Sequence, residues 1–234
     1  MKKNYSKAQP ETIQAMFGSI AKGYDRANGI LSWGMHKRWN REVVNQAGPA
    51  PKLLDLCAGT GDIAYAYLKA NPEAEAHLLD FCPEMLACAQ QKKRPDQQVK
   101  FIQADAMALP LSDNSYPCAT MAYGIRNIQN PLKSLQEIYR VLKPNGVLAI
   151  LELTQPKNTL IRAGHSFYLR TLLPPLGRLV TSNQDAYRYL CSSIQSFIPP
   201  EHLVYLLHQA GFTHITLKPL TLGTATIFRA VRSS

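Results

Sequence analysis

No apolar run in the 234-residue sequence approaches the roughly 20 residues that cross a bilayer. The opening Met1-Lys2-Lys3-Asn4-Tyr5-Ser6 has no apolar core behind it, so it reads as a start without a signal peptide. Cysteine is sparse: Cys57, Cys82, Cys88, Cys118 and Cys191 are odd in number and include no Cys-x-x-Cys pair. That usage argues against a disulfide scaffold and for reduced thiols in a cytoplasmic protein. The six histidines show no i, i+4 pair and join no Cys/carboxylate cluster, so no metal site is expected. A dinucleotide fingerprint is missing as well. It needs Gly-x-Gly-x-x-Gly, but Cys57 fills the first glycine position and no third glycine follows Gly61.

What stands there instead is Lys52-Leu53-Leu54-Asp55-Leu56-Cys57-Ala58-Gly59-Thr60-Gly61-Asp62, with His77-Leu78-Leu79-Asp80 about one βαβ unit later. The apolar run reads as a buried strand, the glycines as a tight turn, and the periodic segment from Ile63 to Ala70 as a helix. Glycine lets the backbone turn sharply and approach a ligand with no Cβ between them. Asp80, ending the next strand, is placed to accept hydrogen bonds from both hydroxyls of a ribose. Asp62 at the helix start suits the helix dipole but would repel a phosphate. S-adenosylmethionine carries a ribose, an amino acid group and a sulfonium but no phosphate, so it fits this turn better than NAD does. The competing reading is an ordinary strand-turn-helix, with Thr60 and Asp62 serving as helix caps.

The net charge of +10 is unevenly spread. Residues 1 to 50 hold eight Lys/Arg against three acids, residues 51 to 152 ten against eleven, and residues 153 to 234 eight against two. The excess therefore lies in the flanks. From Leu153 to Gln184 there is no acid, while Lys157, Arg162, Arg170 and Arg178 stand among Leu, Phe and Tyr. Such a segment suits a solvated lid, an anionic membrane surface or nucleic acid.

The patterning predicts helices over 11–22 and 35–47, strand 52–57, helix 62–70, strand 76–81, helix 83–92, and strands 99–103 and 117–123. Helix 131–142 and strand 146–153 follow, with Pro144-Asn145-Gly146 as a turn between them. A helical insertion over 158–196, helix 200–210 and strands near 213–218 and 224–231 complete the chain. This alternation predicts an α/β fold with a mostly parallel sheet covered on both faces. The whole of 1–234 reads as one domain, with residues 1–50 as an N-terminal helical cap and 158–196 as a lid.

Four segments carry a family resemblance: Phe17-Gly18-Ser19-Ile20-Ala21-Lys22-Gly23-Tyr24-Asp25-Arg26-Ala27-Asn28, the Asp55 to Asp62 turn, Tyr123-Gly124-Ile125-Arg126-Asn127, and Tyr139-Arg140-Val141-Leu142-Lys143-Pro144-Asn145-Gly146. Together with Ala186-Tyr187-Arg188-Tyr189-Leu190-Cys191-Ser192-Ser193-Ile194, they resemble the quinone-biosynthesis C-methyltransferases of the UbiE/MenG family. The resemblance implies the seven-stranded, Rossmann-like class I methyltransferase sheet, S-adenosylmethionine as cofactor, and methylation of a ring carbon of a polyprenylated quinol. It implies cofactor contacts at Asp55, Gly59, Thr60, Gly61, Asp80, Asp105 and Ala106. Asp105 stands where many relatives have Asn, and Ala122 where they have Ser.

The resemblance further implies catalytic residues Tyr24, Arg126 and Asn127. A quinol ring carbon becomes strongly nucleophilic once the neighbouring hydroxyl loses its proton, so the site needs an anion stabiliser and a proton acceptor. Arginine stays protonated, so Arg126 is expected to stabilise the phenolate and Asn127 to orient water or a quinol oxygen. Tyr24 would relay the proton, with His165 as the alternative. Against these stand two structural readings: Tyr24 as packing over the sheet, and Arg126 as an ion-pair partner of Asp25. Tyr187 and Tyr189 read as core or lid packing. Demethylmenaquinol is the expected substrate and a methoxy-polyprenyl-benzoquinol the alternative. A nucleic-acid methyltransferase would show Asn/Asp-Pro-Pro-aromatic after the fourth strand, which this chain lacks, so no nucleic-acid partner is expected. A cofactor-binding module without turnover is the remaining alternative. The basic flanks suggest peripheral contact with anionic lipid, and the oligomeric state stays open between monomer and homodimer.

Overall fold

Proline opens four helices. Pro10, Pro83, Pro131 and Pro200 each begin one, where a missing N–H leaves no bond unmade and the fixed φ suits the helix. The computed structural model describes residues 9–172 and 184–234. The N-terminal helices are α1 (Pro10–Ile20), α2 (Tyr24–Leu31) and α3 (Met35–Ala47), with a short 3-10 turn, Ala21–Gly23, between the first two. The alternating core follows: β1 (Lys52–Leu56), α4 (Asp62–Ala70), β2 (Glu75–Asp80), α5 (Pro83–Lys92), β3 (Gln98–Gln103), β4 (Tyr116–Ala122), a 3-10 turn at Ile125–Asn127, α6 (Pro131–Val141) and β5 (Leu142–Leu153). The remainder comprises α7 (Thr159–Phe167), a π turn at Tyr168–Leu172, α8 (Gln184–Ser196), α9 (Pro200–Gln209), β6 (Phe212–Leu220) and β7 (Ala225–Arg232).

The seven strands form one sheet in the order β3-β2-β1-β4-β5-β7-β6, with β7 antiparallel to both its neighbours. Strand alternation divides the core. Leu54 and Leu56 face a cluster with Leu135, Ile138, Leu203 and Leu207 of α6 and α9, whereas Leu53 faces Val43, Val44, Ile63 and Tyr67 of α3 and α4. Each face thus buries a helical layer, as a mostly parallel sheet requires. The chain runs outward from β1 to β3 and then from β4 to β5 on the other side, so strand order reverses between β1 and β4. Ligands of such sheets sit beyond the carboxyl ends of the strands at that reversal.

Two boundaries differ from the sequence pattern. Helix α2 was not expected: only Ala27 and Leu31 of its eight residues are buried, too few for a periodic signal. Its C-terminal end is instead held by the Tyr168 hydroxyl, which donates to the Leu31 carbonyl at 2.6 Å. Pro144-Asn145-Gly146 is not a turn ahead of β5 but a bulge inside it. Tyr116 pairs with Leu142 and Cys118 with Val147, and Asn145 takes φ +62° to accommodate the extra residues. Of the expected insertion, residues 173–183 lie outside the described residues, and with them Arg178; so do Met1 to Ala8 and the side chain of Tyr187.

Candidate active site

The turn after β1 is built on left-handed backbone at Cys57 (φ +51°), Gly59 (+53°) and Gly61 (+84°). A Cβ on Gly61 would lie 2.7 Å from the Tyr65 ring and 2.9 Å from Leu78, whereas one on Gly59 would meet nothing within 4 Å. Gly61 therefore serves packing, and Gly59 leaves space open. Gly124, after β4, approaches Cys57 so closely that its Cβ would fall 2.5 Å from that residue's Cβ. The two loops at the strand reversal are thereby pressed together.

Asp55 lies fully buried beneath the turn, its Oδ1 accepting from Thr120 Oγ1 at 2.7 Å and its Oδ2 without a partner. Burial pushes this carboxyl up to about 7, against the pull of the Thr120 hydrogen bond. Thr60 and Asp62 do not cap α4, whose N-cap is Gly61 with no side-chain bond. Thr60 Oγ1 instead donates to Asp25 Oδ1 of α2 at 2.5 Å. Lys92 of α5 pairs with Asp25 and, at 2.9 Å, with Asp62. Asp25 is thus committed to this network and is not the partner of Arg126.

Beyond the strand ends lies a cleft of about 140 Å³ lined by Gly59, Asp80, Asp105, Ala106, Tyr24 and Asn127 among others. Asp80 is fixed at both oxygens: the Gly59 amide donates to Oδ2 at 2.7 Å and the Cys82 amide to Oδ1 at 2.8 Å. Burial raises its pKa, and these amides pull in the opposite direction. Asp105 Oδ1 accepts from the Met107 amide at 2.8 Å, a local turn that holds the carboxylate at the cleft wall. Helix α1 covers the cleft, with Gln14 Nε2 donating to the Phe81 carbonyl at 3.0 Å. Of the other expected cofactor residues, Asp55 and Thr60 line a smaller adjoining space with Tyr24, His36 and Asn40. Gly61 lines neither of these two spaces.

A second cavity, about 310 Å³ and mostly apolar, lies between α1–α3 and the α7–α8 region. Phe17, Tyr24 and Tyr123 line both spaces, so cleft and cavity meet at these rings. Arg126, His165 and Tyr189 bring polar groups to the apolar wall. Arg126 is buried and paired through Nη1 with the fully buried Glu152 of β5, while its Nε donates to Ser193 Oγ of α8 at 3.3 Å. Asn127 Nδ2 donates to the Tyr123 carbonyl at 3.4 Å and its Oδ1 accepts from the Tyr189 hydroxyl at 3.0 Å. Burial raises the Tyr24 hydroxyl above its ordinary range, opposed by the nearby Arg126 charge. Burial alone lowers His165, leaving a neutral imidazole at neutral pH.

Glu152, Ser193 and Tyr189 are the site residues that sequence reasoning missed. A signal for Glu152 was present: a lone carboxylate in the apolar run Leu148 to Leu153. No group of three or more metal-ligating side chains occurs among the described residues.

A seven-stranded sheet of this order, with a glycine turn after β1 and carboxylates ending β2 and following β3, is the class I S-adenosylmethionine-dependent methyltransferase fold. The solved [4+2]-cyclase SpnF superposes with a TM-score of 0.74 at 17% identity, covering 97% of each chain. Human N-acetylserotonin methyltransferase gives 0.65 at 21% identity, covering 96% of this chain and 60% of that one. Those likenesses establish the fold. The chain belongs to the ubiE/COQ5 methyltransferase family, whose sequence model matches residues 4–232. A demethylmenaquinone methyltransferase of Protochlamydia amoebophila (strain UWE25) is 51% identical over 231 residues, 95% of this chain and 96% of the relative. One of Chlamydia pneumoniae is 48% identical, covering 91% and 93%.

Proposed function

We propose that the protein methylates a ring carbon of demethylmenaquinol to give menaquinol, with S-adenosylmethionine as cofactor. The observation that carries this reading is the meeting of a carboxylate-lined cleft and an apolar cavity at Tyr24 and Tyr123, with Arg126 on the apolar side. The cleft fits the cofactor: Asp80 would hold the ribose, Asp105 and the Ala106 amide the adenine, and Gly59 with Thr60 the amino acid end. Asp55 and Gly61 support that turn from below. Bound there, the cofactor supplies an electrophilic methyl on a sulfonium.

The chain's own groups then handle the quinol. The apolar cavity holds the ring and excludes water, so the guanidinium of Arg126 stabilises the phenolate in a low-dielectric setting. Its ion pair with Glu152 and its bond to Ser193 fix the guanidinium plane before substrate arrives. Asn127, held between Tyr123 and Tyr189, orients a quinol oxygen near the cleft. Tyr24 stands where both spaces meet and passes the hydroxyl proton on. Neutral His165 is the alternative acceptor. Attack by the ring carbon forms the C–CH3 bond as the methyl–sulfur bond breaks to leave a neutral thioether. The dienone so formed loses its ring proton and regains one at oxygen, giving the methylated quinol with one proton released overall.

The same reading gives the chain one methyltransferase domain, with α1–α3 as its cap and residues 158–196 as its lid. The substrate's polyprenyl tail leaves by the cavity mouth. Large apolar side chains stand exposed in the same region: Trp33 at 77%, and Leu160 and Phe167 of α7 at 83% and 60%. With the basic flanks, they suit peripheral contact with anionic lipid on the cytoplasmic face of a membrane. Among the described residues no helix is long and apolar enough to cross a membrane.

The test is methyl transfer from labelled S-adenosylmethionine to short-tailed demethylmenaquinol, reduced in detergent. Label should appear in the quinol. Tight cofactor binding with no transfer to any reduced quinol would overturn the reading.

A further inference from the structure

The hydrogen bond between Tyr189 and Asn127 joins the two spaces, since Tyr189 lines the apolar cavity and Asn127 the cleft. A phenol has one proton to donate. Here that proton is committed to Asn127 Oδ1 at 3.0 Å. The amide cannot turn round to release it. Its Nδ2 donates to the Tyr123 carbonyl, and the reversed orientation would set Oδ1 against that carbonyl, acceptor against acceptor. No donor reaches Tyr189 Oη among the described residues, so its oxygen is left as an acceptor on the cavity wall. Arg126, on the same wall, offers only donors.

We infer that Tyr189, held by Asn127, makes the cavity selective for the reduced, hydroxyl-bearing ring over the oxidised quinone. This rests on the proposed quinol substrate. A quinol hydroxyl can donate to Tyr189 Oη while its other oxygen accepts from Arg126. A quinone carries two carbonyl acceptors, so one of them must face the Tyr189 oxygen, or Tyr189 must abandon Asn127 and leave a buried acceptor unmatched. Either arrangement weakens quinone binding about tenfold to a hundredfold relative to quinol. The selection serves the chemistry, because only the reduced ring has the electron-rich carbon that can take a methyl cation equivalent. It also keeps unreactive quinone from occupying the site.

Trp39 is buried on the cavity wall, so its fluorescence, read in a Trp33→Phe background, reports occupancy. The experiment titrates the full chain anaerobically, with S-adenosylhomocysteine bound, using a short-tailed demethylmenaquinone-type ring in oxidised and dithionite-reduced forms. Wild type should bind the reduced form at least tenfold more tightly. Tyr189→Phe keeps the ring and loses the acceptor: quinol affinity should fall about tenfold while quinone affinity holds or rises, bringing their ratio near one. Asn127→Leu removes that residue's own contact to a ring oxygen for both forms but frees the Tyr189 proton for a carbonyl. The ratio of quinol to quinone affinity should therefore fall toward one with the Tyr189 ring in place, and an unchanged ratio counts against the inference. Equal binding of the two forms by wild type overturns the inference. So does a Tyr189→Phe variant that binds cofactor normally and loses affinity for both forms alike. Turnover is read separately. A preference for the reduced ring without methyl transfer would mean that the selectivity stands and the proposed reaction does not.

Discussion

Arg126 and Glu152 form a pair buried at the end of the sheet, and what happens when one partner goes can be worked out before any variant is made. Replacing Glu152 by Gln leaves a guanidinium that cannot lose its proton, and unpaired buried charges of this kind destabilise by about 3–5 kcal/mol. That defect should be the same at pH 5 and pH 7. Replacing Arg126 by Met leaves Glu152, which can escape by taking a proton. From an ordinary value of 4.5, neutralising it at pH 7 costs about 3 kcal/mol, and at pH 5 under about 1. The sign follows from linkage. In this variant the folded carboxyl titrates above the unfolded one, so stability is fullest below the unfolded pKa and is lost as pH rises past it. Arg126→Met should therefore look mild in acid and severe at neutrality. The double variant Arg126→Met/Glu152→Gln removes both charges and should regain most of the stability, bind S-adenosylmethionine, and transfer no methyl. Urea unfolding at the two pH values reads the first part, and labelled transfer the second. A Glu152→Gln protein within about 1 kcal/mol of wild type would refute the burial argument, and methyl transfer by the double variant would refute the role of Arg126.

Asp80→Asn should weaken cofactor binding about tenfold or more, because the ribose loses one acceptor oxygen, and should cost about 1–3 kcal/mol of stability, because an amide can accept from only one of the Gly59 and Cys82 amides that the carboxylate now receives. Calorimetric titration checks it. Gly61→Ala should lose about 2–4 kcal/mol, since its Cβ would strike Tyr65 and Leu78 at a left-handed backbone position. Gly59→Ala meets nothing and should lose only about 1 kcal/mol of stability while losing cofactor affinity, so unfolding and binding measured side by side separate the two glycines. Asp55, raised from 3.8 to about 7, contributes stability that is complete below about pH 4 and is lost as pH rises to 7, an amount near 4 kcal/mol. The unfolding free energy of wild type relative to Asp55→Asn should fall by that amount across the window, and a pH-independent difference would count against a buried, titrating Asp55.

Local signals carried most of the fold. Strand β1, α3, α4 and α5 lie within a residue of the bounds that apolar runs, prolines and glycines imply, because burial and punctuation act over a few neighbours. Of the residues that the family motifs implied, Tyr24 lines both spaces, Arg126 the cavity and Asn127 the cleft. What stayed illegible depends on partners distant in sequence. Helix α2 exists because Asp25 meets Thr60 and Leu31 meets Tyr168, contacts that no window of eight residues reveals. Asp25 looked like a partner for Arg126 because opposite charges near two motifs invite pairing, but the partner is Glu152, which comes from β5 and bears no motif. Tyr189 looked like packing, because an aromatic on a helix declares its hydroxyl's partner only in three dimensions.

Four of the side chains proposed for binding or chemistry are held by a segment other than their own. Thr60 is held by α2, Arg126 by β5 and α8, Asn127 by α8, and Asp80 by backbone amides on two loops. The reason lies in the reaction. Methyl transfer from sulfur to carbon demands a narrow range of distance and angle, and short turns at strand ends are too loose to set it alone. The strain at Cys57 and Tyr123, both non-glycine residues at positive φ, belongs to the same scheme, since the Gly124 contact that presses the two loops together also holds them in those conformations. Precision at the strand reversal is thus supplied in part from outside the sheet, by α2 at Thr60 and by α8 at Arg126 and Asn127. These are also the segments that enclose the apolar cavity, so the groups that admit the quinol and the groups that aim it are held by the same helices.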